Sequence, residues 1–314
     1  MIQRPELIYY DRREDRPKKE LVYAGRFLDW SYNSSAGRWA TDTLFNRRWF
    51  SSLYGWLQRQ AWSRRKIKPF IRKFHIDVDE LTKPIEEYSS FSEFFIREIN
   101  LAKRPKPTWP DVCAAPAEGR ALAYPVVEPE MTFRIKRNLF NLQHFIGSPR
   151  LADQFAQASM VIIRLSLADY HHFHFPDSGI PAQSLEISGK YHAGGSYSRR
   201  RFVPFYTENY RMITPFLSDH FGMMLLAEVG ALTIGSIQQR FRPGQRVSSG
   251  DRKGFFELGG STVVILFQKG RIELDHDLRI NTIKGIETFI RLGDSIGRIP
   301  QRTSERMIQC HGEN

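Results

Sequence analysis

The 314-residue sequence has only two cysteines, Cys113 and Cys310, and no long apolar run. Two cysteines are too few for a disulfide framework, and neither has a partner at metal-site spacing, so a reducing compartment is favoured over secretion. No stretch approaches the roughly 20 consecutive apolar residues that a transmembrane helix needs. The amino terminus carries Glu6, Asp11 and Glu14 without an apolar block, so we expect no secretory signal there.

Positive charge is what the sequence has in excess. It contains 46 Lys and Arg against 34 Asp and Glu, which gives a formal net charge of +12. Such a surface attracts polyanions, whether nucleic acid, anionic lipid or an acidic protein. No zinc-finger spacing, RNP-like segment or basic-zipper heptad accompanies the basic run at 64–66, so the sequence predicts no nucleic-acid partner.

An amphipathic helix is predicted around residues 49–57. Its apolar half holds Trp49, Phe50, Leu53, Tyr54, Trp56 and Leu57, and its polar half holds Arg47, Arg48, Ser51, Gln58 and Arg59. A helix of this kind can lie on a membrane, where apolar burial and attraction to anionic head groups act together. The same stripe can instead pack on the core of the protein, and periodicity alone leaves both options open.

The chain divides by composition into four parts. Residues 1–103 are predicted to be mainly helical, with helical spacing at 67–74 and 91–99, and the proline-rich residues 104–110 form a connector. Residues 111–300 contain short strand-like runs, and 301–314 form a polar tail. The runs lie at 159–165, 225–229, 232–238, 262–267 and 271–274, with a hairpin turn predicted at 268–270. The pattern predicts a helical region followed by a β-rich body.

Ser261 follows Gly259 and Gly260 at the start of a β-branched run. Glycine permits backbone shapes in which the hydroxyl can attack the preceding carbonyl and exchange an amide for an ester. The structural alternative is a strand entry with a bulge or tight bend. A serine hydrolase is disfavoured, because its serine sits in Gly-x-Ser-x-Gly at a strand-to-helix turn, whereas residues 262–265 predict a strand.

Three histidines, His171, His172 and His174, stand close together in the sequence. If the segment is extended, residues three apart point to opposite faces, whereas a turn would bring them to one pocket. The alternatives are a polar loop or a metal cluster. A metal would require a third ligand at convincing spacing, and the candidates are merely scattered, namely His192, Cys113 and Glu118.

Several segments, taken together in their order and spacing, resemble the phosphatidylserine decarboxylase family. The likeness runs from about residue 10 to residue 300. The matching segments are Pro116-Ala117-Glu118-Gly119-Arg120, Tyr170-His171-His172-Phe173-His174-Phe175-Pro176, Phe91 to Arg97 followed by Arg104-Pro105, Glu208 to Arg211, Val229-Gly230-Ala231, Ile234 to Ile237, and Gly250 to Thr262. The resemblance implies an α+β fold, with amino-terminal helices followed by a barrel-like β sandwich that carries the catalytic site.

The resemblance also implies a maturation reaction and a cofactor. Ser261 would attack the Gly260 carbonyl, so that the chain separates into a large fragment (1–260) and a small fragment (261–314). Ser261 would become a covalent pyruvoyl group, which is pyruvate built into the new amino terminus. That ketone would form a Schiff base with phosphatidylserine, which would lose carbon dioxide to give phosphatidylethanolamine.

The family's motif positions assign roles to three further side chains. His174 is the base for self-cleavage, Glu118 orients it in place of the usual Asp, and His171 transfers protons during decarboxylation. A second departure from the family is Arg252, where an acidic residue is common; it is either a surface change or a mark of altered head-group preference. These two departures leave an alternative open, an uncleaved and inactive membrane-binding relative.

The expected partners are the phospholipid substrate, an anionic membrane surface and the two fragments of the chain itself. We therefore expect a peripheral protein on the cytoplasmic face of the cell membrane, held by the helix at 49–57. Arg211 has two possible uses that the sequence does not separate. Its planar guanidinium suits a substrate phosphate or carboxylate, and an internal ion pair with Glu208 is the other option.

Overall fold

The computed structural model describes residues 8–21, 30, 34–40, 48–128, 130–133, 138–189, 205–230, 237–259 and 261–301. Gly260 and His192 lie outside these ranges. So do most of the predicted strand at 232–238 and nearly all of the predicted tail. Within the described ranges, helices gather in the first hundred residues and strands dominate afterwards, so the predicted α+β class is confirmed.

Two of the amino-terminal helices pack around a cluster of aromatic side chains. The α-helices are α1 (Ser35–Ala40), α2 (Arg48–Arg59), α3 (Ile67–Phe74) and α4 (Phe91–Phe95), and 3-10 turns lie at Ala61–Lys66, Val78–Glu80, Ile85–Glu87 and Leu101–Lys103. The predicted helix at 67–74 is confirmed. The helix predicted at 91–99 ends early, at Phe95, and the buried rings of Phe70, Phe91 and Phe94 hold α3 and α4 together.

Helix α2 presents two large apolar side chains to solvent. Leu53 and Trp56 are 49% and 53% exposed, although both belong to the predicted apolar half. Gln58, predicted to be on the polar half, is buried, and its Oε1 accepts a hydrogen bond of 3.0 Å from Lys66 Nζ. The helix therefore does not bury Leu53 and Trp56 in the core of the protein.

The β-rich body contains one large sheet and several small ones. Its strands are β1 (Ile8–Asp11), β2 (Arg16–Lys19), β3 (Val112–Ala114), β4 (Gly119–Val127), β5 (Glu130–Phe133), β6 (Asn138–Asn141), β7 (Ala158–Leu165), β8 (His172–His174), β9 (Gly179–Pro181), β10 (Leu185–Ile187), β11 (Arg211–Ser218), β12 (Gly222–Gly230), β13 (Ile237–Gln239), β14 (Arg252–Phe256), β15 (Ser261–Phe267), β16 (Glu273–Leu274), β17 (Glu287–Ile290) and β18 (Ser295–Arg298). The large sheet has the order β10-β11-β12-β15-β7-β4-β17-β1-β2, and β9 pairs with β11.

Both faces of the large sheet are buried. One face packs against the small sheets β13-β14-β8 and β16-β18-β3, through side chains such as Val263 and Phe173. The other face is covered by α5 (Leu142–Ile146) and α6 (Pro149–Asp153), through Phe145 and Val264 among others. Alternate residues of β15 thus enter opposite cores, which explains why its sequence reads as a continuous apolar run. Further helices are α7 (Phe205–Glu208) and α8 (His276–Ile283).

The strand pairing brings several chain segments to one end of the large sheet. Ser261, the first residue of β15, lies opposite Gly230 at the end of β12 and Leu165 at the end of β7. On the far side of β7, Arg120 of β4 lies opposite Arg164, so that β4 also begins at this end. Because adjacent strands lie about 4.8 Å apart, these strand ends are close neighbours.

Two sequence predictions are corrected by the strand pairing. The amino-terminal region, predicted to be mainly helical, contains a hairpin over residues 8–19, in which β1 pairs with β2 and also lies parallel to β17 of the large sheet. The turn at 268–270 does not form a hairpin: β15 pairs with β12 and β7, whereas β16 pairs with β18. Among the described helices, none has the length and apolar character needed to span a membrane.

Candidate active site

Ser261 lies buried at the start of β15 with its hydroxyl unbonded. The residue is 1% exposed, and its Oγ has no hydrogen-bond partner among the described atoms. A buried hydroxyl without a partner loses about 1–3 kcal/mol relative to one in water, so such atoms are rare and often belong to reactive sites. The backbone of Ser261 is fixed on both sides by pairing with Gly230 and Leu165.

His174 is held in one orientation by two neighbours. Its Nδ1 lies 2.9 Å from the carbonyl oxygen of Gly250, and its Nε2 lies 3.4 Å from the hydroxyl of Tyr170. A carbonyl can only accept, so Nδ1 carries the proton and Nε2 carries the lone pair, to which the Tyr170 hydroxyl can donate. Burial, aided by the positive charge of Arg252, lowers the pKa of His174 to about 4, so the ring is neutral near pH 7.

Gly250 is fixed by the backbone of Phe175, the residue after His174. Its N–H donates to the Phe175 carbonyl at 2.8 Å, and the Phe175 N–H donates to the Asp251 carbonyl at 2.9 Å. Gly250 has a φ of +84°, in the left-handed region that glycine adopts without strain. The local backbone therefore aims the Gly250 carbonyl at the histidine ring.

Glu118 is bonded to an arginine rather than to His174. Its Oε2 accepts a hydrogen bond of 2.8 Å from Arg104 Nε, and the other nitrogens of Arg104 bind Glu80 at 2.7 and 2.8 Å. Burial raises the pKa of Glu118, and Arg104 opposes that rise. In the described part of the chain no hydrogen bond joins Glu118 to His174. The backbone N–H of His174 donates to the Pro116 carbonyl, two residues before Glu118, at 2.8 Å. The orienting role of Glu118 stays a prediction.

His171 is fully buried, with one free ring nitrogen. Its Nδ1 donates to the Asp169 carbonyl at 2.9 Å, its ring centroid lies 4.0 Å from that of Phe95, and its Nε2 has no partner among the described atoms. Burial, together with the charge of Arg97, lowers the pKa of His171 to about 3. His171 therefore presents a neutral imidazole with an available lone pair.

The three neighbouring histidines do not share one ligand position. His171, His172 and His174 each bond a different backbone carbonyl, those of Asp169, Ile96 and Gly250. Across the described ranges, no group of three or more His, Cys, Asp and Glu side chains is placed to hold a metal ion.

Arg211 binds backbone carbonyls of the protein. Its guanidinium is thus not available to bind a substrate anion, and within the described residues its hydrogen bonds are not made to the Glu208 carboxylate. The side chain is 1% exposed, and its guanidinium donates to four backbone carbonyls at 2.6 to 2.9 Å. The acceptors are the carbonyls of His144, Phe145, Thr207 and Asn209. These bonds tie α5 to the start of β11 and leave no donor nitrogen of Arg211 unused.

Arg252 lies within the site rather than on a remote surface. It is opposite His174 in the pairing of β14 with β8, and its Nη1 donates to Glu98 Oε1 at 2.5 Å. Its side chain is about one-third exposed, at 34%. Because it lowers the pKa of His174, the charge at position 252 bears on the chemistry of the neighbouring ring.

Several residues around the site were assigned no role from the sequence. Gly250 and Arg104 fall in segments that match the family, but only the fold brings their polar atoms to His174 and Glu118. Arg97 is a third case, because its guanidinium bonds the same Asp169 carbonyl as His171 does. These contacts join segments that are 14 to 76 residues apart.

Comparison with known proteins identifies the family. A family model described as phosphatidylserine decarboxylase matches residues 91–298. The phosphatidylserine decarboxylase proenzyme of Chlamydia trachomatis is 39% identical over 93% of this chain and 97% of the relative. The chain belongs to the phosphatidylserine decarboxylase family. Family members bearing the same proenzyme name include those of Chlamydia felis, 38% identical over 93% of this chain and 98% of its own, and Desulfitobacterium hafniense, 36% identical over 92% and 97%.

The match to the phosphatidylserine decarboxylase family covers the site described above. Ser261, His171, His174 and Glu118 all fall within residues 91–298. Helices α1 to α3 precede the region that the family model matches, whereas the likeness to individual phosphatidylserine decarboxylase proenzymes spans more than nine-tenths of the chain.

Proposed function

We propose that the chain is a proenzyme that cleaves itself between Gly260 and Ser261 and then decarboxylates phosphatidylserine to phosphatidylethanolamine. The observation that carries the proposal is the buried hydroxyl of Ser261, which has no partner among the described atoms. Ser261 pairs with Leu165 at the end of β7, the strand that leads within a few residues to His171. The names of the relatives support the same reading, since each is called a phosphatidylserine decarboxylase proenzyme.

The proposed cleavage needs no oxidant and no added cofactor. Ser261 Oγ adds to the Gly260 carbonyl carbon, the bond from that carbon to the Ser261 nitrogen breaks, and the nitrogen takes a proton. Loss of the Ser261 α proton then breaks the bond between Cβ and Oγ. This step releases residues 1–260 with a carboxylate and leaves dehydroalanine at 261. Tautomerisation and hydrolysis give the pyruvoyl group and ammonia.

His174 is the proposed base for this cleavage. An unassisted serine hydroxyl is a weak nucleophile near neutral pH, and an adjacent imidazole is the usual activator. His174 is suited to the task because its Nδ1 is occupied by Gly250 and its neutral Nε2 can accept a proton. We assign Glu118 as the acidic partner, whose carboxylate would have to exchange Arg104 for His174 in order to orient the ring directly.

His171 is the proposed proton-transfer residue of the mature enzyme. The pyruvoyl group, once formed, supplies a ketone that condenses with the substrate amine and accepts the electron pair left when carbon dioxide departs. The chain's residues fit this chemistry, because Ser261 Oγ and His171 Nε2 are both buried polar atoms that have no partner in the described part of the chain. His171 Nε2 is free to hold or deliver the proton that the α carbon of the product requires.

We further propose that the protein works on the cytoplasmic face of the cell membrane. The exposed side chains of Leu53, Trp56 and Trp62 support this attachment, since large apolar residues in solvent are suited to insertion at a lipid surface. Arg65 and Lys66 lie over the Trp62 ring at 5.3 and 5.1 Å, which places positive charge beside the apolar side chains. Anionic head groups would be attracted to this charge.

Intact mass and carbon dioxide release test the proposal together. We expect purified wild-type protein to give two fragments, with residue 261 converted to pyruvoyl, and to release carbon dioxide from phosphatidylserine vesicles. Ser261→Ala should remain one chain and be inactive. A wild-type chain that stays whole would favour an uncleaved, inactive relative. Two fragments without carbon dioxide release would support maturation but remove phosphatidylserine as the substrate.

A further inference from the structure

Arg97 is a buried cation without a carboxylate partner of its own. The residue is 5% exposed, and its Nη2 donates to the backbone carbonyls of Ala168 and Asp169 at 2.5 and 3.1 Å. Its Nη1 is buried without any hydrogen-bond partner, and no salt bridge to Arg97 occurs within the described ranges. Arginine keeps its charge in proteins, so this site holds a positive charge that is only partly compensated.

The two carboxylates that most strongly affect the pKa of Arg97 are hydrogen-bonded to other arginines. Glu118 and Asp169 both favour the charged form of Arg97, while burial opposes it. Glu118 accepts its hydrogen bond from Arg104, and the carboxylate of Asp169 accepts from Arg120. A buried charge is stabilised only when it is paired and fully hydrogen-bonded, so the free Nη1 is suited to an additional anion.

The position of Arg97 points to the cleavage segment. The side chains of Phe94, Phe95 and Leu258 pack in one cluster, so that Leu258, three residues before Ser261, lies against the helix that ends just before Arg97. Arg97 Nη2 and His171 Nδ1 bond the same Asp169 oxygen, so Arg97 also adjoins the proposed proton-transfer residue. The free guanidinium nitrogen thus belongs to the same buried region as the proposed chemistry.

We propose that Arg97 binds the carboxylate that self-cleavage creates at residue 260. This inference rests on the proposed function, because only cleavage converts the neutral Gly260 carbonyl into an anion. A new carboxylate in an apolar region is strongly disfavoured without a counterion, and Arg97 supplies one through Nη1, whose N–H groups have no partner among the described atoms. Arg97 would then stabilise the cleaved state and hold the end of the large fragment beside the active site.

A substrate carboxylate is a weaker candidate for the same position. The carboxylate of phosphatidylserine departs as carbon dioxide, and a group that binds it tightly stabilises the ground state more than the transition state. Such binding would slow the reaction that the site is proposed to perform. The new terminal carboxylate persists through every turnover, so pairing with Arg97 carries no such penalty.

The test compares Arg97→Gln in uncleaved and cleaved protein. The uncleaved form is the Ser261→Ala variant, and the cleaved form is chosen by intact mass as a pure two-fragment preparation. We expect Arg97→Gln to lower the melting temperature of the cleaved form by about 5 °C or more beyond the decrease that it causes in the uncleaved form. Only the cleaved form contains the ion pair between Arg97 and the new carboxylate. An equal decrease in both forms would overturn the proposal.

Arg164→Gln is the matched control. Arg164 is a buried arginine whose partners, Glu20 and Glu287, are present before and after cleavage. Its loss should lower the melting temperature of both forms by similar amounts. If Arg97→Gln affects the two forms equally but raises the KM for phosphatidylserine, Arg97 binds substrate and the proposal is wrong. If the wild type does not cleave, its intact mass will be that of the whole chain. That result would contradict the proposed function itself, separately from the role of Arg97.

A second measurement does not depend on any variant maturing or folding. Native cleaved wild-type protein is treated with a carboxypeptidase, and the mass of the large fragment is followed, with denatured protein as the positive control. We expect residues 259 and 260 to resist removal in the native protein, because a carboxylate held by buried Arg97 is not available to the protease. Removal from native protein at the rate seen after denaturation would overturn the proposal.

Discussion

The Nδ1 atom of His174 lies 2.9 Å from the carbonyl oxygen of Gly250, so a backbone group, and not a carboxylate, holds this ring in the described structure. We predict that Gly250→Ala slows self-cleavage by about tenfold to a hundredfold. The added Cβ strains a residue at φ +84° and turns its carbonyl away from the ring, and a displacement of about 1 Å in a catalytic group has effects of this size. The measurement is the rate of two-fragment formation in freshly refolded protein.

Gly244→Ala is the control for that variant. Gly244 has a comparable φ of +77°, and no atom lies within 4 Å of the Cβ that alanine would add. The two variants should therefore introduce similar backbone strain, and only the change at Gly250 should affect cleavage. Equal cleavage rates in both would show that the Gly250 carbonyl does not position His174.

We predict that Glu118→Gln slows self-cleavage by at least about tenfold while the protein still folds. The substitution keeps the size of the side chain but removes the negative charge that would stabilise a protonated His174. Glu80→Gln is the control, because Glu80 also gives a carboxylate to Arg104 but has no proposed part in cleavage. If both variants slow cleavage equally, Glu118 acts only through Arg104 and its assigned role is wrong.

We predict that His171→Ala matures but decarboxylates poorly, with turnover lowered by about a hundredfold or more. The variant removes the free Nε2 proposed to transfer a proton, and leaves Ser261 and His174 in place. His172→Ala is the comparison, since His172 bonds the Ile96 carbonyl and has no role in the proposed chemistry. Turnover by the His171 variant equal to that of the His172 variant would remove His171 from the mechanism.

We predict that the uncleaved Ser261→Ala protein loses stability as the pH falls from about 6.5 to about 4. Burial lowers the pKa of His171 to about 3 and those of His172 and His174 to about 4, from 6.5. In this window the unfolded chain binds protons that the folded chain does not. Each histidine therefore lowers the free energy of unfolding by about 1.4 kcal/mol per pH unit. Urea unfolding at several pH values measures the slope of the free energy of unfolding against pH. In His174→Gln this slope should be smaller by the contribution of one proton, about 1.4 kcal/mol per pH unit. An unchanged slope in that variant would contradict the low pKa.

The sequence predicted those parts of the fold that depend on local pattern. The helical spacing at 67–74 corresponds to α3, and the apolar run at 262–267 corresponds to β15. The β1–β2 hairpin was missed because β2 reads Arg-Pro-Lys-Lys, which has no strand pattern, and forms only by pairing with β1. Its stability comes from tertiary contact, which intrinsic propensity does not encode.

The sequence assigned roles to a set of candidate site residues, but it did not predict their contacts. Family motifs named Ser261, His174, His171 and Glu118, and the strand pairing brings their segments to one end of the sheet. The partners of each polar atom depend on segments far away in the chain. The sequence could not predict that Arg104, 14 residues before Glu118, would donate a hydrogen bond to the Glu118 carboxylate.

Membrane attachment is predicted to depend on Trp56 of α2. We expect Trp56→Ala to reduce flotation with vesicles that contain anionic lipid by severalfold, because the 53% exposed indole is removed from a surface rich in positive charge. Trp109→Ala is the matched control: Trp109 is 71% exposed but lies in the segment that follows the helices, so its loss should leave flotation unchanged. Equal flotation of both variants, or flotation of the wild type that ignores anionic lipid, would show that α2 does not attach the protein to membranes.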